Sequence, residues 1–321
     1  MTSKITLERF VAGEQQELAR LILGVAGCGV EIQQRIGTSA LTNTVGTTED
    51  INARGERQIP MDQISNEIFK RRMSHSTVGF YLCEEESDVL TMQPDGPYCL
   101  AVDPLDGSAQ LDEGGVVGTI FGVHHRGRRA KEDVFLQPGH RMVCAGVVLY
   151  GSQTKFVWSS GKGVNMFVLD PASKNWFLVR ERLAIPERIS KVTYSTNEAN
   201  QPHWRREEVR KFVSNLKRSH YGPASLRYCG TLVGDGFRTL LKGGLFLYPE
   251  DWTNRAGKLA ITYELAPFAY LMEQGGGRAI TTQGRRILDL VPGSIHERSP
   301  VVMGCSSLIA TYLKETCGVY A

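Results

Sequence analysis

The sequence predicts an α/β protein in which sheets and helices are stacked in layers. Two patterns support this fold class. Between residues 80 and 169, apolar runs of strand length follow one another, whereas from residue 192 onward runs of strand and helix character alternate. Each sheet or helix must bury its apolar face against another element. A strand-dense half followed by an alternating half therefore favours layered sheets with helices between them.

Two helices are predicted before the first strand, because apolar residues recur at helical spacing over residues 14–36 and 61–73. Residues 37–58 lose this periodicity and are rich in glycine, threonine and charged side chains. A polar stretch of this length is typical of a disordered segment or of a functional lid.

The remaining elements follow from the same patterns, with a joint near residues 186–191 that divides the chain into units 1–188 and 189–321. Predicted strands cover residues 80–83, 98–102, 118–124, 144–150, 155–158, 165–169, 192–195 and 245–248, and predicted helices lie near residues 204–217, 231–241 and 267–274 and from 306 onward.

Composition excludes several classes of protein. Thirty-seven basic against 34 acidic residues give a net charge of +3, a smaller excess than a dedicated nucleic-acid binder shows. No apolar run approaches the ~20 residues that a membrane span requires, and the first residues lack a signal-peptide core. We therefore expect a cytoplasmic protein that binds neither nucleic acid nor membrane. Its seven cysteines, without Cys-x-x-Cys spacing, are expected to be small buried hydrophobes in a reducing compartment.

Carboxylates follow two of the predicted strands, and this is the most informative feature of the sequence. Glu84 and Glu85 come directly after one strand, and Asp103 and Asp106 follow the next. Pro104 biases Asp103 toward an extended backbone and is expected to start a turn, so that the two aspartates face the same point. Either motif alone is more often an ordinary turn or a solvated loop; together, at two strand ends, they indicate a site.

Several carboxylates around one small volume repel each other unless cations lie between them. Oxygen donors without histidine or cysteine select Mg²⁺ or Mn²⁺. Gly107 lets a ligand approach the backbone closely, and the amides that follow it are suited to a phosphate. The pattern therefore predicts metal-assisted attack of water on a phosphate ester.

The hexapeptide at residues 103–108, Asp-Pro-Leu-Asp-Gly-Ser, resembles the signature of the magnesium-dependent, lithium-sensitive phosphatases. Segments along nearly the whole chain, from Thr6 to about Leu313, resemble class I fructose-1,6-bisphosphatase within that superfamily. The resemblance implies the layered αβαβα sugar-phosphatase fold, with two domains at the boundaries given above. It also identifies residues 37–58 as similar to a mobile loop that closes over the metals. The segments that carry the resemblance are 118–122, 136–139, 149–152, 246–249, 263–264 and 272–273.

By this resemblance the acidic residues receive roles in binding two or more Mg²⁺ ions and in activating water. The implied metal ligands are Glu84, Glu85, Asp103, Asp106, Glu264 and the carbonyl of Leu105. The implied catalytic residues, which complete a metal site or act as general base, are Glu56, Asp62 and Glu85.

The resemblance also implies a substrate with a phosphate at each end. Asp106, Gly107 and Ser108 match the residues around the phosphate that is cleaved. The matches to the pocket for the sugar and its 6-phosphate are Asn197, Tyr228, Tyr248 and Lys258. Arg227 matches an arginine that reaches across a subunit interface, which implies a homo-oligomer, a tetramer built from dimers.

The resemblance leaves three activities open. Fructose 1,6-bisphosphate hydrolysis is expected, because Tyr248 is absent from the plant sedoheptulose 1,7-bisphosphatase branch. The sequence from Tyr263 to Pro267 slightly favours sedoheptulose 1,7-bisphosphate as the substrate. A non-catalytic metabolite sensor is a third reading, supported only by Ala260, which stands where the family has an arginine near the metals. Asn200 also departs from the family, where a tyrosine is often found in the phosphate pocket. Pro97 replaces a lysine of the AMP site, so AMP inhibition of the usual kind is not expected.

Overall fold

The computed structural model describes residues 4–46, 59–187, 191–218 and 224–319. The predicted helices are confirmed to within a few residues of their ends. Both long N-terminal helices end where their apolar spacing ends, whereas a 3₁₀ turn that contains Pro202 delays the start of α4. The α-helices of the described residues are α1 (Leu7–Val11), α2 (Gln16–Ile36), α3 (Pro60–Met73), α4 (Glu207–Arg218), α5 (Leu232–Lys242), α6 (Ala266–Gln274) and α7 (Ser306–Cys317).

The first half of the chain forms an eight-stranded sheet with the order β2-β1-β3-β4-β5-β6-β7-β8. β1 and β3 run parallel, and every other neighbouring pair in this sheet is antiparallel. Its strands are β1 (Val78–Cys83), β2 (Leu90–Thr91), β3 (Tyr98–Asp106), β4 (Val117–His125), β5 (Met142–Tyr150), β6 (Lys155–Ser159), β7 (Val164–Leu169) and β8 (Trp176–Leu183).

The sequence patterns missed the edge strand β8. Its centre carries three consecutive charged residues, 180–182, and lies exposed at the sheet margin. A charged edge strand protects a sheet from unwanted pairing, but here the charges cut short the apolar run of residues 176–179 and obscure the strand in the sequence.

The second half forms a five-stranded sheet with the order β10-β9-β11-β15-β13 and a two-stranded ribbon, β12 with β14. The proposed boundary at residue 188 lies outside the described residues and stays a prediction. The strands are β9 (Thr193–Ser195), β10 (Ser225–Leu226), β11 (Leu245–Tyr248), β12 (Leu259–Ala260), β13 (Arg278–Ile280), β14 (Arg298–Ser299) and β15 (Val301–Gly304).

The two faces of the large sheet belong to two different hydrophobic cores. Phe121 in β4 packs with residues of α1, α2 and α3, whereas its neighbour Ile120 packs with α5, α6 and the second sheet. Side chains alternate along a strand, and β4 and β5 are mostly apolar and almost entirely buried, so both of their faces are covered. Helices α4 and α7 cover the far face of the second sheet. The order is therefore helix, sheet, helix, sheet, helix, which confirms the layered fold.

Three further expectations concern the chain as a whole. Residues 37–46 form hydrogen-bonded turns after α2, but the rest of the segment likened to a mobile loop, residues 47–58, lies outside the described residues. All seven cysteines are free thiols, and five are buried; Cys229 is exposed, against expectation. Within the described residues, no helix is long and apolar enough to cross a membrane.

A glycine in β4 determines how closely α5 approaches the large sheet. Gly118 pairs with Asp106 of β3. A Cβ atom at Gly118 would lie 2.4 Å from the carbonyl oxygen of Val148 and 2.6 Å from Cγ2 of Val233, in the first turn of α5. The missing side chain therefore allows the start of α5 to lie directly over the end of β3.

We expect Gly118→Ala to lower the free energy of unfolding by about 1–3 kcal/mol, because the backbone carbonyl leaves no room for the extra methyl group. Urea unfolding of the purified chain measures this change. The control is Gly151→Ala, which faces open space and should change stability by less than about 0.5 kcal/mol. Equal stability of the two variants would contradict the packing argument.

Candidate active site

A cleft of about 230 Å³ lies between the end of the large sheet, the start of α5 and the segment that leads into α6. Its lining has an acidic part, the acidic wall, and a second part, the far wall, which carries backbone of the turn after β3, two tyrosines and a lysine. The sequence-predicted residues that line it are Asp62, Glu84, Glu85, Asp103, Leu105, Asp106, Gly107, Ser108, Tyr228, Tyr248, Lys258 and Glu264.

The pairing of β1 with β3 brings the first acidic residues together. The two strands are parallel, so their carboxyl ends lie at one edge of the sheet. The amide of Glu84, just beyond β1, donates to the carbonyl of Val102, the residue before Asp103, at 3.1 Å. Glu84 and Asp103 are both buried there, and Glu85 is partly exposed beside them.

The predicted turn at Pro104 is wrong: β3 continues through it to Asp106. The carbonyl of Pro104 accepts a hydrogen bond from the hydroxyl of Thr119 in β4 at 2.8 Å, and this contact keeps the strand paired although proline lacks an amide hydrogen. The register with β4 shifts between Asp103 and Asp106. The amide of Leu105 donates to Oδ1 of Asp103 at 3.0 Å. A strand irregularity, rather than a turn, therefore re-aims the two aspartates.

The turn comes three residues later, at Gly107, whose φ of 78° lies in the left-handed region. A Cβ atom there would lie 2.2 Å from Cγ2 of Thr231, the N-cap of α5. Gly107 therefore permits both the backbone conformation and the contact with α5. Ser108 begins the 3₁₀ turn that follows, at the floor of the cleft.

Glu264 reaches the same point from a π-helical turn, Ile261–Leu265, that runs directly into α6. Its Oε2 accepts from the amide of Ala260 at 2.5 Å, and the side chain is buried. Single π-helical turns interrupt regular helix geometry and are frequent at functional sites.

The acidic wall contains a compact group of oxygen donors. Asp103, Asp106 and Glu264 each offer a carboxylate oxygen, and these oxygens lie within 4.8 Å of one another. Burial raises the pKa of Asp103 well above its usual range, and the negative charges of Glu84, Asp106 and Glu264 raise it further. Carboxylate oxygens are hard donors, and their mutual repulsion disfavours further negative charge at this point. Both properties suit a divalent cation such as Mg²⁺ or Mn²⁺.

Helix α5 also faces the acidic group, and sequence reasoning missed this contribution. The amide of Val233 donates to Oδ2 of Asp106 at 2.6 Å, and Thr231 and Leu232 line the cleft. The positive end of the helix dipole therefore lies beside the carboxylates. The available signal was Thr231, an N-cap residue before a helical pattern, but nothing in the sequence indicated where that helix would point.

The far wall carries a lysine and two tyrosines, which are groups suited to binding a second phosphate. Lys258 is the one cationic side chain among the described residues that line the cleft. Tyr228 and Tyr248 lie beside each other; burial and the neighbouring Tyr248 phenol raise the pKa of Tyr228, so it stays a neutral hydrogen-bonding group.

Two of the predicted residues that the structure describes do not line this cleft. Asn197 lies in an adjoining pocket that shares Tyr248 with it. Arg227 is exposed, and its guanidinium donates to the carbonyl of Leu226 at 2.9 Å. Glu56 lies outside the described residues.

Comparison with known proteins identifies the family. Residues 5–181 match the profile of the fructose-1-6-bisphosphatase N-terminal domain, and residues 185–316 match that of the C-terminal domain. The chain belongs to the fructose-1,6-bisphosphatase family. It is 39% identical to the cytosolic fructose-1,6-bisphosphatase of Oryza coarctata over 100% of this chain and 95% of that protein. It is 36% identical to the class 1 enzyme of Leptospira biflexa, over 96% of each chain.

Solved structures agree with the assignment. Leishmania major fructose-1,6-bisphosphatase in its holo form matches with a TM-score of 0.91 and 33% identity, over 97% of this chain and 98% of that chain. The apo form of the same enzyme matches with a TM-score of 0.85, over 97% and 99%. The fold and the family predicted from the sequence are thus confirmed.

We expect Asp103→Asn to stabilise the metal-free protein at pH 7 by about 1 kcal/mol or more. The pKa of Asp103 is raised on folding, so the folded state retains a proton that the unfolded state has lost, and stability falls as pH rises above about 4. The substitution removes this loss, and its benefit should vanish below about pH 4. Urea unfolding in EDTA across pH measures it.

Saturating Mg²⁺ should reverse the order, because binding to the folded state stabilises wild type by about 2.7 kcal/mol at 100 times Kd. The exposed Asp112, changed to Asn, serves as a control that should show neither effect. A metal-free Asp103→Asn variant that is less stable than wild type at pH 7 would refute the repulsion argument.

Proposed function

We propose that this protein hydrolyses the 1-phosphate of fructose 1,6-bisphosphate in a Mg²⁺-dependent reaction that gives fructose 6-phosphate and phosphate. The observation that carries the proposal is the two-ended cleft. Its lining combines the acidic group of Asp103, Asp106 and Glu264 with the Gly107 turn, Lys258 and the tyrosines. A substrate with a phosphate at each end fits this arrangement of charge.

The acidic wall supplies the metal-binding residues of the proposal. Glu84, Glu85, Asp103, Asp106, Glu264 and the carbonyl of Leu105 would hold two or more Mg²⁺ ions, with Mn²⁺ as a substitute. When bound, these ions supply positive charge for the phosphoryl oxygens. The amide donors to Asp103, Asp106 and Glu264 hold the carboxylates in place, so the chain keeps their orientation fixed during the reaction.

The attacking water requires a base, and Asp62 and Glu85 are the residues that we assign to this role. Asp62 is buried at the start of α3, where Oδ2 accepts from the amide of Ile59 at 2.9 Å and so fixes the side chain. The water oxygen attacks phosphorus, one of its protons passes to the Asp62–Glu85 pair, and the bond to the C1 oxygen breaks as that oxygen takes up a proton from the pair. Gly107 and Ser108 position the phosphoryl group. Glu56 is assigned to this machinery by resemblance alone.

The far wall fixes the rest of the substrate. Lys258 neutralises the 6-phosphate, and Tyr228 and Tyr248 donate hydrogen bonds that orient it. Asn197, in the adjoining pocket, contacts the same end of the substrate. The exposed Arg227 completes the pocket of a neighbouring subunit in a homotetramer built from dimers. The relatives named as cytosolic support a cytoplasmic location.

The proposal is tested by phosphate release from fructose 1,6-bisphosphate and from sedoheptulose 1,7-bisphosphate, with Mg²⁺ and with EDTA. We expect Mg²⁺-dependent release, preference for the fructose substrate, and a loss of about 10²–10³-fold in kcat for Asp103→Asn. Asp112→Asn, an exposed aspartate outside the cleft, should match wild type. Preference for the seven-carbon substrate would reassign the specificity, and no release with Mg²⁺ or Mn²⁺ would favour the non-catalytic sensor.

We expect Lys258→Gln to raise KM by about 10–100-fold and to leave kcat within about threefold, because it removes a charge-assisted hydrogen bond to the phosphate that is not cleaved. Tyr248→Phe removes a hydroxyl without changing charge and should raise KM less, by about 2–10-fold. Steady-state kinetics with saturating Mg²⁺ measures both. A fall in kcat at unchanged KM in Lys258→Gln would place the lysine at the reacting phosphate instead.

A further inference from the structure

His296 lies on a loop that is fixed to the segment carrying Glu264. The amide of Ile261 donates to the carbonyl of Glu297 at 2.8 Å, and the hydroxyl of Thr262 donates to the carbonyl of Ile295 at 2.7 Å. β12 and β14 pair immediately beside these contacts. The half-buried His296 therefore moves as one unit with the π-helical turn.

The imidazole of His296 connects this unit to the end of β1. Its Nδ1 lies 2.9 Å from the hydroxyl of Tyr263, and its Nε2 lies 3.1 Å from the carbonyl oxygen of Glu86. A carbonyl oxygen only accepts, so Nε2 carries the hydrogen and donates; in the neutral ring Nδ1 then accepts from Tyr263. Tyr263 directly precedes Glu264, and Glu86 directly follows Glu85.

The side chain of Glu86 extends the connection to α3. Its Oε1 accepts from the side-chain amide of Asn66 at 2.7 Å and lies 3.1 Å from Nζ of Lys70. Asn66 also accepts from the hydroxyl of Tyr81 in β1 at 3.0 Å. Because Asp62 lies in the first turn of α3, one chain of contacts outside the cleft joins the three segments that carry Asp62, Glu84 with Glu85, and Glu264.

We propose that His296 is a positioning residue for the metal site: its hydrogen bond to Glu86 holds the Glu84–Glu85 segment at a set separation from Glu264. The inference rests on the proposed function. The carboxylates of the cleft repel one another before a cation binds, so a segment that is free to move would open the donor set. A tether behind the cleft resists that opening and keeps the donors at the spacing that the cation requires.

The experiment uses two variants that test separately the hydrogen bonds of His296 to Tyr263 and to Glu86. In His296→Asn the amide occupies the position of Nδ1, which keeps the contact with Tyr263 and loses the one with Glu86. In His296→Gln the longer side chain brings an amide NH₂ to the position of Nε2, which restores the bond to Glu86. The control is His140→Asn, since His140 is an exposed histidine that contacts Asp289 at the surface.

The main measurement is Mn²⁺ binding to the full chain by isothermal titration calorimetry without substrate. We expect His296→Asn to weaken Mn²⁺ binding by about 10-fold or more, and His296→Gln and His140→Asn to stay within about threefold of wild type. Wild-type affinity in a folded His296→Asn variant would overturn the inference. Thermal melting in EDTA distinguishes a merely structural role from a positioning role. A structural role would lower the melting temperature of His296→Asn and leave its Mn²⁺ affinity unchanged.

Tyr263→Phe provides a second arm if His296→Asn does not fold. It removes the hydrogen bond that orients the ring toward Glu86, so we expect Mn²⁺ binding to weaken by about fivefold or more; an affinity within threefold of wild type would then overturn the inference. Failure of the proposed function is distinguishable: wild-type protein would neither bind Mn²⁺ nor release phosphate. Wild-type protein that does both, alongside an indistinguishable His296→Asn variant, would refute the role of His296 alone.

Discussion

Repulsion among the carboxylates at the end of the large sheet is the constraint on which the rest of the site depends. Asp103 and Glu264 are almost fully buried, and Glu84 and Asp106 lie beside them. Folding brings these groups together although their negative charges repel one another, so the scaffold must stabilise an arrangement that is unfavourable without a cation. This is a cost in stability for the sake of function.

Hydrogen bonds from backbone amides offset part of this repulsion. Asp103, Asp106, Glu264 and Asp62 each accept a hydrogen bond from a main-chain N–H, and each of these donors lies on a different element. Main-chain donors hold a carboxylate by one oxygen and leave its other lone pairs for a ligand. The hydrogen bond to Asp106 also depends on the packing of the layers, because α5 can supply its amide only when it lies on the large sheet.

The sequence predicted the layered fold and most of the cleft, since apolar spacing and the hexapeptide at residues 103–108 are local signals. It failed where the deciding contact is distant in sequence. Pro104 looked like the end of a strand because its partner Thr119 comes from β4. The helix start at Val233 and the bridge through His296 gave no local sign of their target. The roles assigned to the individual site residues, Arg227 and Glu56 among them, stay predictions.

The cleft draws its charged residues from both halves of the chain. The large sheet and α3 supply most of the acidic residues, and the second half supplies Glu264 together with Lys258 and the tyrosines. Asp103, Asp106 and Glu264 bring three carboxylates within 4.8 Å of one another, whereas Lys258 is the one cationic side chain among the described residues of the lining. The acidic group therefore keeps an excess of negative charge that a divalent cation can offset. Under the proposed function, a bisphosphate would meet positive charge at both ends, from bound metal at one phosphate and from Lys258 at the other.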